Sequence, residues 1–231
     1  MKKGDWYYIF LCLIFLTAWI WAAINPVYKE DWLLENYLVF IFVPLILITG
    51  IYFRLSKLSY TLITMFMILH VIGSHYTYAE VPFGYVLQTW FNSDRNMYDR
   101  MVHFCFGLLL AYPIREVFIR ISKTKGIWSY YFPIELTLAF SALYELIEWL
   151  TVTTINPGAG LAFLGAQGDV WDAQKDMILA FLGSIFSMLV VLFINWIYKK
   201  DFKKEIKNSF KIPKNDEPLG EIKLLKMIKK R

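Results

Sequence analysis

GDVWDAQKDMILAFLGSIFSMLVVLFINWIYKK, residues Gly168–Lys200, decides the architecture. From Met177 to Tyr198 it carries no charged residue. Such a run, as a helix rising about 1.5 Å per residue, crosses the roughly 30 Å hydrocarbon core of a bilayer. A membrane β-barrel strand would instead alternate apolar and polar residues over about ten positions, and this run is continuous. Three aspartates stand before it: Asp169, Asp172 and Asp176. Their spacing of three and four puts them on one helical stripe if the helix begins before Val170. In that reading Asp169 is the N-cap and Asp172 sits at N3, where acids favour the helix dipole. Asp176 lies two turns in, beyond the reach of capping, and needs a different partner.

Five more runs of the same kind lie upstream, near 6–24, 37–53, 58–73, 101–119 and 128–150, the third being the shortest. The chain is 58% hydrophobic, with nine Trp among 231 residues, and its mean hydropathy is +0.45. Those values exceed what a soluble core requires and suit a protein anchored by rings at membrane interfaces. The fold class is all-α: a polytopic integral membrane protein with six transmembrane helices. The first run, about 19 residues with no A-x-A site after it, is read as a retained helix and not as a signal peptide. Cys12 and Cys105 lie inside apolar runs without metal-type spacing and read as small buried hydrophobes, with no disulfide framework.

Basic residues set the orientation. Taken alternately along the six runs, one set of loops and ends holds 20 of the 24 Lys and Arg, and the other holds only Lys29, Arg95, Arg100 and Lys175. Cytoplasmic segments carry such an excess, so both termini are expected inside. Residues 1–198 then form the transmembrane domain and 199–231 a basic cytoplasmic tail. The tail reads as an orientation signal, with attraction of its end, GEIKLLKMIKKR, to anionic lipid as the alternative.

With that orientation, the ionisable residues collect at the extracytoplasmic face. His70 lies near the outer end of the third run, and His75 and Glu80 follow it in the loop GSHYTYAEVPFG. Asp94, Arg95, Asp99, Arg100 and His103 enter the fourth, Tyr144, Glu145 and Glu148 close the fifth, and the aspartates open the sixth. Asp99 and His103 are four apart and share a helix face, as do Glu145 and Glu148. Glu145 precedes Leu150 by five residues, about 7.5 Å below the expected helix end. A charge at mid-bilayer costs about 2.5–3.5 kcal/mol, so Glu145 must face the bundle and be paired, protonated or metal-bound. At least six carboxylates face three basic residues, and crowded carboxylates raise one another's pKa or recruit a cation. His70, alone on an apolar face, reads as a packed histidine.

Three motifs, YDRMVHFCFGLLL, ALYELIEWL and GDVWDAQKDMILAFLGS, together with GSHYTYAEVPFG, resemble the YjdF-type family of bacterial inner-membrane proteins. The resemblance runs from the second helix to the sixth and implies that the polar layer is the family's signature surface. A more distant similarity is to VanZ-like proteins, linked as a family to glycopeptide resistance. It would give Asp99, His103, Glu145, Asp176 and Gly183 corresponding places, whereas Glu148-Trp149, Ala180 and the His75–Glu80 segment depart from that pattern. Neither resemblance supplies a reaction.

The residues leave three readings open. The first is an enzyme, or a binder of a membrane lipid or lipid-linked envelope component, with Glu145, Asp176 and His103 as acid–base groups or as ligands of a divalent metal. Arg95, Asp99, Arg100, Glu148 and His75 would contact substrate, under a roof made by residues 74–100 and 151–170. The second is a small transporter or proton-coupled protein, for which Glu116 and Glu135 would have to extend the polar path. The third is a scaffold whose polar layer is an ion-pair network. Lipid phosphatase, intramembrane serine protease and His-Glu-x-x-His zinc protease signatures are missing from the sequence, as is a phosphate-cradling glycine loop. No nucleic-acid module accompanies the basic tail.

Overall fold

A computed structural model of the chain describes residues 5–154, 167–211 and 221–229. Among them there are helices and no strand. Six helices are long and apolar enough to cross a membrane: α1 Asp5–Ala23, α2 Lys29–Tyr52, α3 Lys57–Tyr76, α5 Tyr98–Arg120, α6 Trp128–Thr154 and α7 Asp172–Tyr198. A short helix, α4 Pro82–Trp90, lies between α3 and α5, and α8 Phe202–Lys207 and α9 Glu221–Ile228 follow α7.

Five of the six crossing helices are longer than their apolar runs; α1, with 19 residues, matches its own. The extra turns carry the polar residues that matter here, because a helix does not end where hydrophobicity ends. It continues while its backbone groups stay paired and its side chains have partners. Thus α2 begins eight residues before the run at 37–53, with Glu30 and Asp31 in its first turn. The third run, the shortest in sequence, is a helix of 20 residues whose N-cap Ser56 accepts from the Ser59 amide. Prolines 44, 113 and 133 lie inside α2, α5 and α6, a tolerance that is ordinary in membrane helices.

The parallel pair α5–α7 forms the centre. α6 packs on both, α3 lies against α5, α1 against α3, and α2 touches α3. The central pair meets backbone to backbone. A Cβ on Gly107 would stand 1.8 Å from the Ala180 carbonyl oxygen, and one on Gly183 would stand 2.1 Å from the Phe104 carbonyl oxygen. Small residues let helices approach this closely where lipid offers no hydrophobic drive for association. The outer faces of α1, α2, α6 and α7 expose Ile41, Ile51, Leu146 and Phe193, among others, as a surface covered by hydrocarbon requires. Cys12 is on such a face and is exposed, contrary to its reading as a buried residue, and Cys105 is half-buried.

The alternating helices give the bundle two chemically distinct ends. At the basic end Glu116 of α5 accepts from the Ser56 amide at 2.8 Å, from Ser59 Oγ at 2.5 Å and from Arg120 at 2.6 Å. The start of α3 and the end of α5 are tied together there. Glu205 and Ser209, in and beyond α8, accept from the Gly126 and Ile127 amides, which docks the segment after α7 onto the α5–α6 connection. The acidic end, where α3 and α6 finish and α2, α5 and α7 begin, holds the candidate site.

Candidate functional site

Two arginines organise the acidic end. Arg100, in the first turn of α5 and 5% exposed, reaches across to α7. Its Nη1 donates to the Asp172 carbonyl at 2.8 Å and pairs with Asp176 Oδ2 at 2.5 Å, while Nη2 lies 2.6 Å from Asp172 Oδ1 and 3.1 Å from Asp169 Oδ2. Arg95, just before α5, pairs with Asp172, with Asp99 at 3.7 Å and with Asp169 at 3.9 Å. A planar guanidinium presents five donors in a fixed fork and can bind carboxylates from different turns at once.

This changes the roles expected for the aspartates. α7 begins at Asp172, and its N-cap is Trp171 with no side-chain cap. Asp169 is therefore not the cap and Asp172 is not at N3. Asp169 lies ahead of the helix, accepting from the Trp171 amide at 3.0 Å and from Lys175 Nζ at 2.7 Å. The Lys175 bond and then the Trp171 amide hold its carboxyl below the usual carboxylate range. Asp172 is still the acid of the first turn, and the charged partners of the two aspartates are Arg95, Arg100 and, for Asp169, Lys175.

Asp176 is 1% exposed. One oxygen is taken by Arg100; the other, Oδ1, is buried with no hydrogen-bond partner. One turn into α5, His103 Nε2 stands 3.5 Å from Asp99 Oδ1 and 3.5 Å from Glu145 Oε1, and the Glu145 oxygen also lacks a hydrogen bond. Asp99, His103 and Asp176 each offer a ligand atom, all within 4.8 Å of one another. Asp99 and His103 share the face their spacing implied, because α5 starts at Tyr98. Glu145 lies deeper than expected: α6 runs on to Thr154, so it stands nine residues, about 13.5 Å, from the helix end. Glu148, one turn further along α6, is half-buried in the field of Glu145, Glu35, Asp99 and Asp176.

His75 is not part of this cluster. It falls within α3, not in a loop, stacks on Trp21 at 4.6 Å and hydrogen-bonds the Ala22 carbonyl at 3.1 Å, which fixes α1 to α3. His70 is a packed histidine: Nε2 meets the Glu35 carbonyl at 3.1 Å and Nδ1 the Tyr78 hydroxyl at 2.5 Å. Burial, then the charge of Glu35, pushes the Tyr78 hydroxyl well above its ordinary value, so it stays protonated. Thr77 and Tyr78 both have left-handed backbone, φ 57° and 54°. That geometry turns the Tyr78 ring back onto Gly73, where a Cβ would come within 2.6 Å of it.

Three contributors were missed in sequence. Glu35 of α2 is 5% exposed and its Oε2 accepts from the Tyr144 hydroxyl at 2.8 Å. Its partner is 109 residues away, so no local spacing points to the pair. Asn96, 1% exposed, donates from Nδ2 to the Val81 carbonyl and accepts the Tyr98 amide, which pins α4 to the start of α5. Gln167 accepts the Asn96 amide at 2.9 Å and returns a bond to its carbonyl at 3.2 Å, holding the approach to α7 beside α5. The expected roof is thus partly the helix α4. Of the second roof segment, 151–154 belongs to α6, and 155–166 lies outside the described residues.

The cluster therefore joins seven carboxylates, Glu35, Asp99, Glu145, Glu148, Asp169, Asp172 and Asp176, to Arg95, Arg100, Lys175 and His103. The family model described as Predicted membrane protein (DUF2238) matches residues 7–196. Inner membrane protein YjdF of Escherichia coli (strain K12) is 40% identical over 171 residues, covering 74% of this chain and 81% of that protein. No solved structure matches, and the VanZ-like similarity finds no support in these comparisons. The family match runs from within the first crossing helix to within the last and includes all the site residues named above, so the chain belongs to the DUF2238 family of predicted membrane proteins, as a multi-pass protein related to one of the bacterial inner membrane.

Proposed function

We propose that the acidic end faces the outside of the cytoplasmic membrane and binds, or acts on, the ionic group of a membrane lipid or lipid-linked envelope component. The bias of basic residues toward the other end and toward the segment 199–231 supports this orientation, with both termini and that basic tail in the cytoplasm. One observation carries the binding reading: the carboxylates outnumber the cations in a buried cluster. Arg95 and Arg100 are engaged by four of the seven acids, Asp99, Asp169, Asp172 and Asp176. The entering group is accordingly a cation, or an anion carried on a cation, rather than a bare phosphate seeking arginine. Trp90, Phe91, Val170 and Trp171 are exposed at this end and suit the level of lipid headgroups.

A scaffold reading is favoured by Arg100, which bridges three aspartates of the α7 region. A transport path has less support. Glu116 is engaged by Ser56, Ser59 and Arg120, and Glu135 is on an exposed position of α6. The test is native mass spectrometry and lipid extraction of the full chain in nanodiscs, wild type beside Glu145→Gln and Glu148→Gln. The binding reading expects a wild-type lipid or envelope species that the folded variants lose. An identical complement in all three proteins refutes it and leaves the scaffold.

A further inference from the structure

We propose that Asp99, His103 and Asp176 hold a divalent transition-metal ion, with Glu145 as the fourth group around it. The inference deepens the functional reading above and rests on it for the ion's purpose, but not for the ion's binding.

Four observations converge. The three side chains bring one nitrogen and two carboxylate oxygens within 4.8 Å of one another. Donor atoms at about 2.0–2.1 Å from a tetrahedral ion stand about 3.4 Å apart. The two separations around His103 Nε2, 3.5 Å to Asp99 Oδ1 and 3.5 Å to Glu145 Oε1, already have that length. Asp176 Oδ1 and Glu145 Oε1 are buried without hydrogen-bond partners, and a buried acceptor left unsatisfied is unfavourable by about 1–3 kcal/mol, more when charged. An ion supplies what both lack. Finally, the donors are held by rigid elements. Asp99 and His103 are one turn apart on α5, and Asp176 is set opposite them by the close α5–α7 crossing at Gly107 and Gly183.

Arg100 does not oppose this arrangement. It binds Asp176 through Oδ2 and leaves the other oxygen for the ion, as hydrogen-bonded carboxylate ligands commonly do. With seven acids nearby, a dication lowers the local excess of negative charge. A mixed imidazole–carboxylate set favours zinc, manganese or iron over magnesium or calcium, which prefer oxygen alone. The same ion could bridge an anionic headgroup to a surface that is itself acidic.

The experiment uses full-length protein in detergent, stripped with chelator, then titrated with Zn2+, Mn2+ or Co2+ and assayed for bound metal by mass spectrometry. Cobalt absorption reports the coordination directly. About one ion per chain is expected in the wild type and in His75→Ala, whose histidine lies elsewhere. Asp99→Asn, His103→Gln and Asp176→Asn should each weaken binding by more than about tenfold. A folded wild type that takes up no ion overturns the proposal whether or not the variants fold, and so do folded variants with unchanged affinity. Metal binding that persists while wild type and Glu148→Gln retain the same lipids would sink the lipid reading and leave the ion in place.

Discussion

Replacing either glycine of the α5–α7 crossing with alanine separates two opposed expectations by sign. Judged on helix propensity alone, alanine in place of glycine stabilises a helix interior by about 1 kcal/mol. The packing demands the reverse. At Gly107 the added Cβ would lie 1.8 Å from the Ala180 oxygen and 2.6 Å from the Ser184 nitrogen; at Gly183, 2.1 Å from the Phe104 oxygen and 2.9 Å from the Leu108 nitrogen. An ordinary carbon–oxygen contact is about 3.3 Å, so the helices must part by about 1.2–1.5 Å. All four obstacles are backbone atoms, and no rotamer change can relieve them. Overpacking of this kind costs about 1–3 kcal/mol; its upper end, less the propensity gain, leaves a net loss of about 2 kcal/mol. For a chain of this size that lowers Tm by roughly 4–8 °C. Thermal unfolding of full-length protein in detergent, followed by tryptophan fluorescence, measures it. Gly50→Ala is the control, since its Cβ would meet only the flexible Tyr60 hydroxyl at 3.2 Å. If Gly107→Ala or Gly183→Ala matches the wild type or melts higher, the close crossing is refuted.

Arg100→Ala leaves several buried carboxylates without their shared cation and should destabilise by about 3–5 kcal/mol; adding Asp176→Asn should recover part of that loss, and strictly additive melting shifts would refute the coupling. Asp169 has its carboxyl held below the usual range by Lys175 and the Trp171 amide, so its contribution is complete above its unfolded value of about 3.9 and disappears as pH falls through the lower folded value. The melting difference between wild type and Asp169→Asn should therefore be present at pH 7 and vanish in acid, and a gap that persists at the acid limit would contradict the pairing.

The number of crossing helices was legible because hydrophobic runs of bilayer length are a strong signal that requires no knowledge of partners. Their ends were not legible. Glu35 and the last four residues of α6 lie in helical turns beyond the apolar runs, and Asp172 opens α7 where its spacing placed it at N3 of an earlier start. Those turns form because buried partners stabilise them: Tyr144 for Glu35, and the two arginines for Asp172. The pairing of Asp99 with His103 could be read from i, i+4 spacing within one helix. The pairing of Arg100 with Asp176 could not, because it spans two helices and depends on how closely two glycines let them approach. His75 misled for the same reason. Histidine beside acidic residues suggests a site, but its neighbours in space are Trp21 and the Ala22 carbonyl of α1.

The scaffold and the site need not compete, since the geometry divides the acids between them. Asp169 and Asp172 meet Arg95, Arg100 and Lys175 and lie toward the start of α7, where pairing them closes the bundle end. One turn deeper fewer cations reach the acids. Asp176 gives one oxygen to Arg100 and keeps the other without a hydrogen bond, Glu145 Oε1 has no hydrogen bond and stands 3.5 Å from the His103 imidazole, and Asp99 shares that imidazole while pairing with Arg95 at 3.7 Å. A network evolved only to fasten helices would place its unsatisfied oxygens where water reaches them, since each buried one weakens the fold. Here they are buried together around one histidine. The outer ion pairs then have a second consequence: by fixing α5 against α7, they hold the inner carboxylates at a spacing that repulsion alone would open.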